Sequence, residues 1–281
     1  MFDTLVELRW FQAHLQDPGV VVVDCRFSLA DAQAGRRAYL AGHVPGAVYA
    51  DLEQDLSGPV GPETGRHPLP DPMLLARRFA AWGIGPDTQV VALDDAGGAM
   101  AARLWWLARW LGHRQVALLD GGYAAWNTAG LPLETGEVER PPAVFDARTG
   151  DDCWVDAGCV AETLALGQGV LIDARAPARF AGEEEPIDPV AGHVPGALNR
   201  PFTANLDDTQ CFLPPETLRA AFRSLLGDTP STGVMHMCGS GVTACHNLLA
   251  MEVAGMPGSR LYAGSWSEWI RDPARPVARG D

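Results

Sequence analysis

Short apolar runs rich in β-branched residues recur along the chain, separated by polar turns containing glycine and proline. Val20 to Asp24, Gln89 to Leu93, Val116 to Leu119, Val170 to Asp173 and Val234 to Met237 are such runs. Each is too short for a stable helix and lacks polar alternation, which predicts strands buried on both faces of a parallel sheet. Ala101 to Leu111 has a different period. It places Leu104, Leu107 and Leu111 on one face and predicts a helix, stopped by Gly112. Strands alternating with helices predict an α/β fold, a mostly parallel sheet with helices on both faces. In such sheets the chemistry is expected at the carboxyl ends of the strands.

The pattern occurs twice. Val21-Val22-Val23-Asp24-Cys25-Arg26 is echoed by Val170-Leu171-Ile172-Asp173-Ala174-Arg175, and Gly42-His43-Val44-Pro45-Gly46-Ala47 returns unchanged at Gly192 to Ala197. Gly121-Gly122-Tyr123-Ala124-Ala125-Trp126 matches Gly264-Ser265-Trp266-Ser267-Glu268-Trp269. The offset drifts from about 150 to about 143, as small insertions between two copies would cause. We expect a first domain over 1–138, a linker over 139–150 and a second domain over 151–281. The stretch from Leu131 to Gly150 has Pro, Gly and charge without an apolar period, suiting an exposed linker across both domains. Arg271 to Asp281 reads as a frayed tail.

Composition narrows the function. With 281 residues, 47% hydrophobic and 20% charged, the chain has material for one or two cores. A net charge of −14 opposes binding to phosphate backbones, so no nucleic-acid partner is expected. All 21 basic residues are Arg, so Schiff-base and P-loop lysine chemistry are excluded. No apolar run is long enough for a membrane span, and the start lacks a basic region before an apolar run. A cytoplasmic location with reduced thiols is therefore expected. The six Cys form no Cys-x-x-Cys pair and no zinc spacing, so no metal is expected.

One segment concentrates the chemistry. The strand ending at Met237 runs into Cys238-Gly239-Ser240-Gly241-Val242-Thr243, and a helix follows. The loop puts a thiol beside successive backbone N–H groups at a helix start, where an anion is favoured. Such surroundings are expected to lower the thiol pKa and produce a nucleophile. The alternative is an inert cysteine in a tight turn. At an offset of 143, Asp95 falls opposite Cys238, which makes the first domain non-catalytic. A cysteine-dependent phosphatase would need Arg six residues after the thiol; Ala244 stands there. Asp24, Arg26, Asp173 and Arg175 recur at strand ends and read as structural pairs. Trp126 and Trp269 read as core.

The tandem repeat, the two Gly-His-Val-Pro-Gly-Ala motifs and Cys238-Gly-Ser-Gly-Val-Thr243 together resemble the two-domain rhodanese sulfurtransferases over nearly the whole chain. The loop is similar to that of the 3-mercaptopyruvate branch. The thiosulfate branch typically has Cys-Arg-Lys-Gly-Val-Thr, and Gly239 and Ser240 replace those cations here. A neutral loop suits a monoanionic donor. The resemblance implies tandem rhodanese-like domains and transfer of sulfur through a Cys238 persulfide, from 3-mercaptopyruvate to a thiol, thioredoxin or cyanide. Thiosulfate as donor, or a non-catalytic thiol sensor, are the alternatives. It implies no cofactor. It assigns catalysis to Cys238, Ser240 and His43, with His43 relaying a proton to Ser240. The recurrence of that histidine at His193 points instead to a fold role. Donor binding is assigned to Arg179, Gly239, Gly241, Val242 and Thr243. A second arginine common in the mercaptopyruvate branch is missing from Glu183 to Pro189.

Overall fold

The structure is a computed structural model that describes residues 1–280. The chain divides into two compact units. The first comprises Met1–Gly58, Pro70–Gly150 and Asp208–Phe212, and the second comprises Pro59–Leu69, Asp151–Asp207 and Leu213–Asp281. Pro59–Leu69, a segment early in the sequence, is thus part of the second unit.

In the first unit the order is β1 (Leu5–Val6), α1 (Leu8–His14), β2 (Val20–Asp24), α2 (Ala34–Ala41) and β3 (Val48–Tyr49). It continues through α3 (Pro72–Ala81), β4 (Gln89–Leu93), α4 (Ala101–Trp110), β5 (Val116–Leu119) and α5 (Gly122–Thr128). The strands form one parallel sheet in the order β1-β5-β4-β2-β3. Every residue of β2 and β4 is buried. Alternate side chains of a strand face opposite ways, so both sides of the sheet centre are covered. One side packs Val20, Val22, Val91 and Leu93 with Phe11 of α1 and Trp126 of α5.

The second unit repeats the plan with β6 (Trp154–Val155), α6 (Ala157–Ala165), β7 (Val170–Asp173), α7 (Pro177–Ala181) and β8 (Leu198–Asn199). Then come α8 (Pro215–Leu226), β9 (Val234–Met237), α9 (Ala244–Val253), β10 (Arg260–Tyr262) and α10 (Ser265–Trp269). Its sheet order, β6-β10-β9-β7-β8, is that of the first unit shifted by five strands, and every pairing is parallel. Leu171, Met235, Met237, Tyr262, Trp266 and Trp269 share one core.

The recurring motifs have matching structural jobs. Arg26 donates through Nε and Nη2 to the Asp24 carboxylate at 2.9 and 2.7 Å, and through Nη2 to the Gly42 carbonyl at 2.8 Å. Arg175 does the same with Asp173 and the Gly192 carbonyl. Each buried pair ties a strand end to the Gly-His-Val-Pro-Gly turn. His43 donates from Nδ1 to the Tyr39 carbonyl and stacks on the Tyr39 ring at 4.0 Å. His193 donates likewise to the Phe180 carbonyl and stacks on Phe180 at 3.8 Å. Trp126 and Trp269 are buried, and each donates its indole N–H to a proline carbonyl, Pro132 and Pro276.

Two expectations are corrected. The segment from Leu131 to Gly150 is exposed or half-buried as expected, but belongs to the first unit: Glu134 pairs antiparallel with His43, Ala143 N donates to the Ala80 carbonyl, and Arg148 and Gly150 donate to Leu111 and Trp110. It runs along the first unit, its backbone groups finding partners there. The C-terminal segment is not frayed either. Ala278 pairs with His193 and Gly280 N donates to the Ala181 carbonyl, so backbone bonds hold it where polar composition alone suggested solvent. Asp281 lies outside the described residues.

Candidate active site

β9 delivers Cys238 at the carboxyl end of the second sheet, in a loop that ends where α9 begins at Ala244. The thiol is buried. Its sulfur accepts the N–H of Gly241 at 3.1 Å and, more weakly, that of Ser240 at 3.5 Å. The loop curls because Gly241 holds φ at +77°, a conformation that glycine adopts without strain. The loop is pinned from below. Cys238 N donates to Ser265 Oγ at 3.0 Å, Trp266 N donates to the Cys238 carbonyl at 3.0 Å, and Ser267 N donates to the Gly239 carbonyl at 2.9 Å. The cradle is therefore built by backbone and rests on α10.

Ser240 Oγ and His67 Nδ1 are 2.8 Å apart, and both residues are buried. The histidine that meets Ser240 thus comes from Pro59–Leu69 of the second unit, whereas His43 is engaged with Tyr39 and Glu134 inside the first. Arg66, the neighbour of His67, ion-pairs with Asp188 and donates its backbone N–H to Ser267 Oγ at 3.0 Å. Arg179, on α7, donates to Glu185 at 2.7 Å and to Asp188 at 3.2 Å. Both guanidinium groups stand beside Gly239. The loop itself carries no cation, and the arginines beside Gly239 come from two other segments, each paired with a carboxylate.

Burial pushes the Asp188 carboxyl above its ordinary range, and Arg66 and Arg179 only partly offset this. Burial acts on Glu185 too, but hydrogen bonds from Arg179 and from backbone N–H groups bring its carboxyl below the ordinary range. Val242 is buried in the loop, and its carbonyl accepts from Cys245 N. Thr243 is half-buried; its carbonyl accepts from His246 N, and its side chain makes no capping bond to α9. Cys245 is buried, and its thiol donates to the Gly241 carbonyl at 3.4 Å. Among the described residues no cluster of His, Cys, Asp or Glu could hold a metal.

The first unit carries the same cradle with a different occupant. Asp94 follows β4 as Cys238 follows β9, and its carbonyl accepts the N–H of Tyr123 as that of Cys238 accepts Trp266. The loop from 94 to 100 is one residue longer than that from 238 to 243, so the constant offset misplaced the equivalence by one: Asp94, not Asp95, holds the nucleophile position. Its carboxylate accepts four backbone N–H groups, from Ala96, Gly98, Met100 and Ala101, at 2.7–2.8 Å. Burial pushes the Asp94 carboxyl above its ordinary range and the four N–H donors partly offset this, so the loop presents donors suited to an anion.

Fold and site define the class: tandem parallel α/β domains, one presenting a thiol in an anion cradle and the other closing its cradle with a carboxylate. The model of the rhodanese-like domain matches residues 7–129 and again 156–272, and the chain belongs to the rhodanese family. It is 53% identical over 279 residues to a protein of Pseudomonas aeruginosa named "Probable 3-mercaptopyruvate sulfurtransferase", covering 99% of this chain and 98% of that one. It is 34% identical to the thiosulfate sulfurtransferase of Bos taurus, covering 96% of this chain and 93% of that one. The crystal structure of SseA from Escherichia coli, described as a 3-mercaptopyruvate sulfotransferase with the rhodanese fold, superposes with a TM-score of 0.82 at 33% identity, covering 95% of this chain and all of that one. No helix among the described residues is long and apolar enough to cross a membrane.

Proposed function

We propose that this sulfurtransferase takes sulfur from 3-mercaptopyruvate through a persulfide on Cys238. The observation that carries the reading is the Cys238 sulfur facing the N–H groups of Gly241 and Ser240. The same donors that favour a thiolate favour the terminal sulfur anion of a persulfide. The Cys238 thiolate attacks the donor sulfur, the S–C bond breaks, and its electron pair leaves on carbon as the enolate of pyruvate. One proton to that carbon gives pyruvate and leaves Cys238–S–SH. An acceptor thiol, thioredoxin or cyanide then attacks the outer sulfur and releases the Cys238 thiolate.

The proton must reach a developing enolate in a buried site. Ser240, with its hydroxyl on His67, is the group we assign to this step, and His67 positions it. Arg179 binds the donor carboxylate. His43 has a sufficient account in the turn it braces. Mercaptopyruvate is favoured over thiosulfate by the Cys-Gly-Ser-Gly-Val-Thr loop and by the 53% identical relative. Initial rates with each donor, using a thiol and then cyanide as acceptor, test this. Higher kcat/KM for mercaptopyruvate is expected. Higher kcat/KM for thiosulfate would overturn the donor assignment, and no turnover with either would overturn the function.

A further inference from the structure

The two units part company just after their edge strands. Ala50 follows β3 and donates its N–H to the Asp24 carbonyl; Arg200 follows β8 and donates likewise to the Asp173 carbonyl. Ala50 is buried, so the fold asks for no arginine at this point. At the same offset Asp55 stands opposite Asn205. Pro72, Leu75 and Phe79 of α3 match Pro215, Leu218 and Phe222 of α8, which sets Arg78 opposite Ala221. In the first unit Arg78 Nε reaches the Asp55 carboxylate at 2.8 Å. The second unit has neither member of that pair. A cleft of about 300 Å³ is found there instead, lined by the chain after β8 and by α8, Arg200 and Ala221 included. Arg200 donates from Nε and Nη2 to Asn205 Oδ1 at 3.0 and 2.8 Å, and from Nη2 to the Ala204 carbonyl at 3.1 Å. Asn205 keeps that oxygen toward it because its amide nitrogen donates to Asn247 Oδ1 at 2.6 Å. The guanidinium lies over the Phe222 ring, 4.4 Å from the centroid. All these partners are neutral. Burial pushes the Arg200 pKa below its ordinary range and no carboxylate offsets this, whereas Arg26 and Arg175 each hold an aspartate at 2.7 Å. Its Nη1 makes no hydrogen bond among the described residues. A half-buried cation without a counter-charge, with a donor to spare beside an open cleft, favours an anion.

We propose that this cleft is a second ligand site, which binds a small organic monocarboxylate with its carboxylate on Arg200 and its aliphatic end against Pro201, Ala204 and Leu225. One cation matches one negative charge. The rest of the lining is mostly apolar, so a short aliphatic acid fits better than an inorganic oxyanion, which would leave that wall uncovered. The Asn199 amide, also at the cleft, is already donated to the Asp173 and Arg175 carbonyls and adds no free donor. The ligand carboxylate does for Arg200 what Asp55 does for Arg78, in space that alanine at 221 leaves open. The site shares no residue with the Cys238 cradle, and β7 lies between β8 and β9 in the sheet.

The test titrates the full chain with butyrate, its neutral analogue butyramide and inorganic phosphate at constant ionic strength, following the side-chain amide resonances of Asn205 by NMR. Butyrate should shift them saturably, butyramide should not, and phosphate should bind more weakly than butyrate. Arg200→Met should raise the butyrate Kd roughly 10- to 100-fold, the worth of a charge-assisted hydrogen bond. Ala221→Leu, which fills the cleft and leaves Arg200 with its partners, should weaken binding to a similar degree; it carries the comparison if thermal melting shows Arg200→Met to be destabilised. Cys238→Ser should bind butyrate as the wild type does. Absence of a saturable shift, equal binding of butyramide, or an unchanged Kd in Ala221→Leu overturns the site. Tighter binding of phosphate overturns the monocarboxylate assignment, and loss of binding in Cys238→Ser would move the ligand to the cradle and overturn the proposal.

Discussion

Two glycines of the active-site loop should respond to alanine in opposite ways. Gly241 holds φ at +77°, and a Cβ there would overlap the Ala263 carbonyl oxygen and lie 3.0 Å from Ala263 Cα. The left-handed conformation costs a non-glycine residue about 1–2 kcal/mol. Relieving the overlap with backbone costs about 1–3 kcal/mol more. Gly241→Ala should therefore destabilise by about 2–5 kcal/mol, lowering the melting midpoint by roughly 5–15 °C. The relief must also turn the Gly241 N–H away from the Cys238 sulfur, because the shift occurs in that peptide. At Gly239 the nearest obstacle to a Cβ is Arg66 Nη2, the end of a flexible side chain. Gly239→Ala should leave the midpoint near that of wild type, since an ordinary backbone position gains about 0.4–1 kcal/mol from losing glycine's freedom. It should still raise KM for the donor. Calorimetry or thermal melting with donor-alone sulfur loading reads both effects. A Gly241→Ala protein with wild-type midpoint and loading would refute the cradle argument.

Three further outcomes follow from other contacts. His67→Gln should lower kcat about 100-fold, whereas His43→Gln should lower the melting midpoint with kcat retained; the reverse pattern would return the relay to His43. His236 is fully buried, its Nε2 3.2 Å from Met251 Sδ, and burial with the nearby Arg200 charge pushes its pKa down to about 3. The unfolded chain takes up that proton below about 6.5 and the folded one does not, so this contribution is complete above pH 6.5 and is lost as pH falls toward 3. Between pH 6.5 and 5 the loss is about 2 kcal/mol, and His236→Leu should remove that part of the slope in urea titrations. Arg175→Met would leave the buried Asp173 carboxylate without its cation and the Gly192 carbonyl without its donor, and should cost about 3–5 kcal/mol in the same titrations.

The apolar runs at Val20, Gln89, Val116, Val170 and Val234 were legible because strands buried on both faces have no polar register to obscure them. Cys238 was legible because a strand, a glycine loop and a helix follow one another locally. His67 and Arg66 were not. They sit in an irregular connection far in sequence from Cys238, and Gly65-Arg66-His67-Pro68 recurs nowhere. Recurrence drew attention to His43 and His193, which recur because both brace the same turn. Chemistry-bearing residues in a long irregular connection were the available signal. Asp94 was missed by one position because a constant offset cannot register a one-residue insertion, whereas the hydrogen bond from Tyr123 does. The tail reads as frayed, and the segment after Leu131 as shared between domains, because their partners are backbone groups, which composition does not reveal.

The central claim is that Cys238 carries the sulfur. Intact mass of the wild type and of Cys238→Ser after 3-mercaptopyruvate alone, with the acceptor withheld and pyruvate measured in parallel, tests it most directly. The account predicts one added sulfur atom on the wild type, none on the variant, one pyruvate released per loaded chain, and loss of the added sulfur when thiol is supplied. Equal loading of the variant, or pyruvate release without added mass, would contradict it.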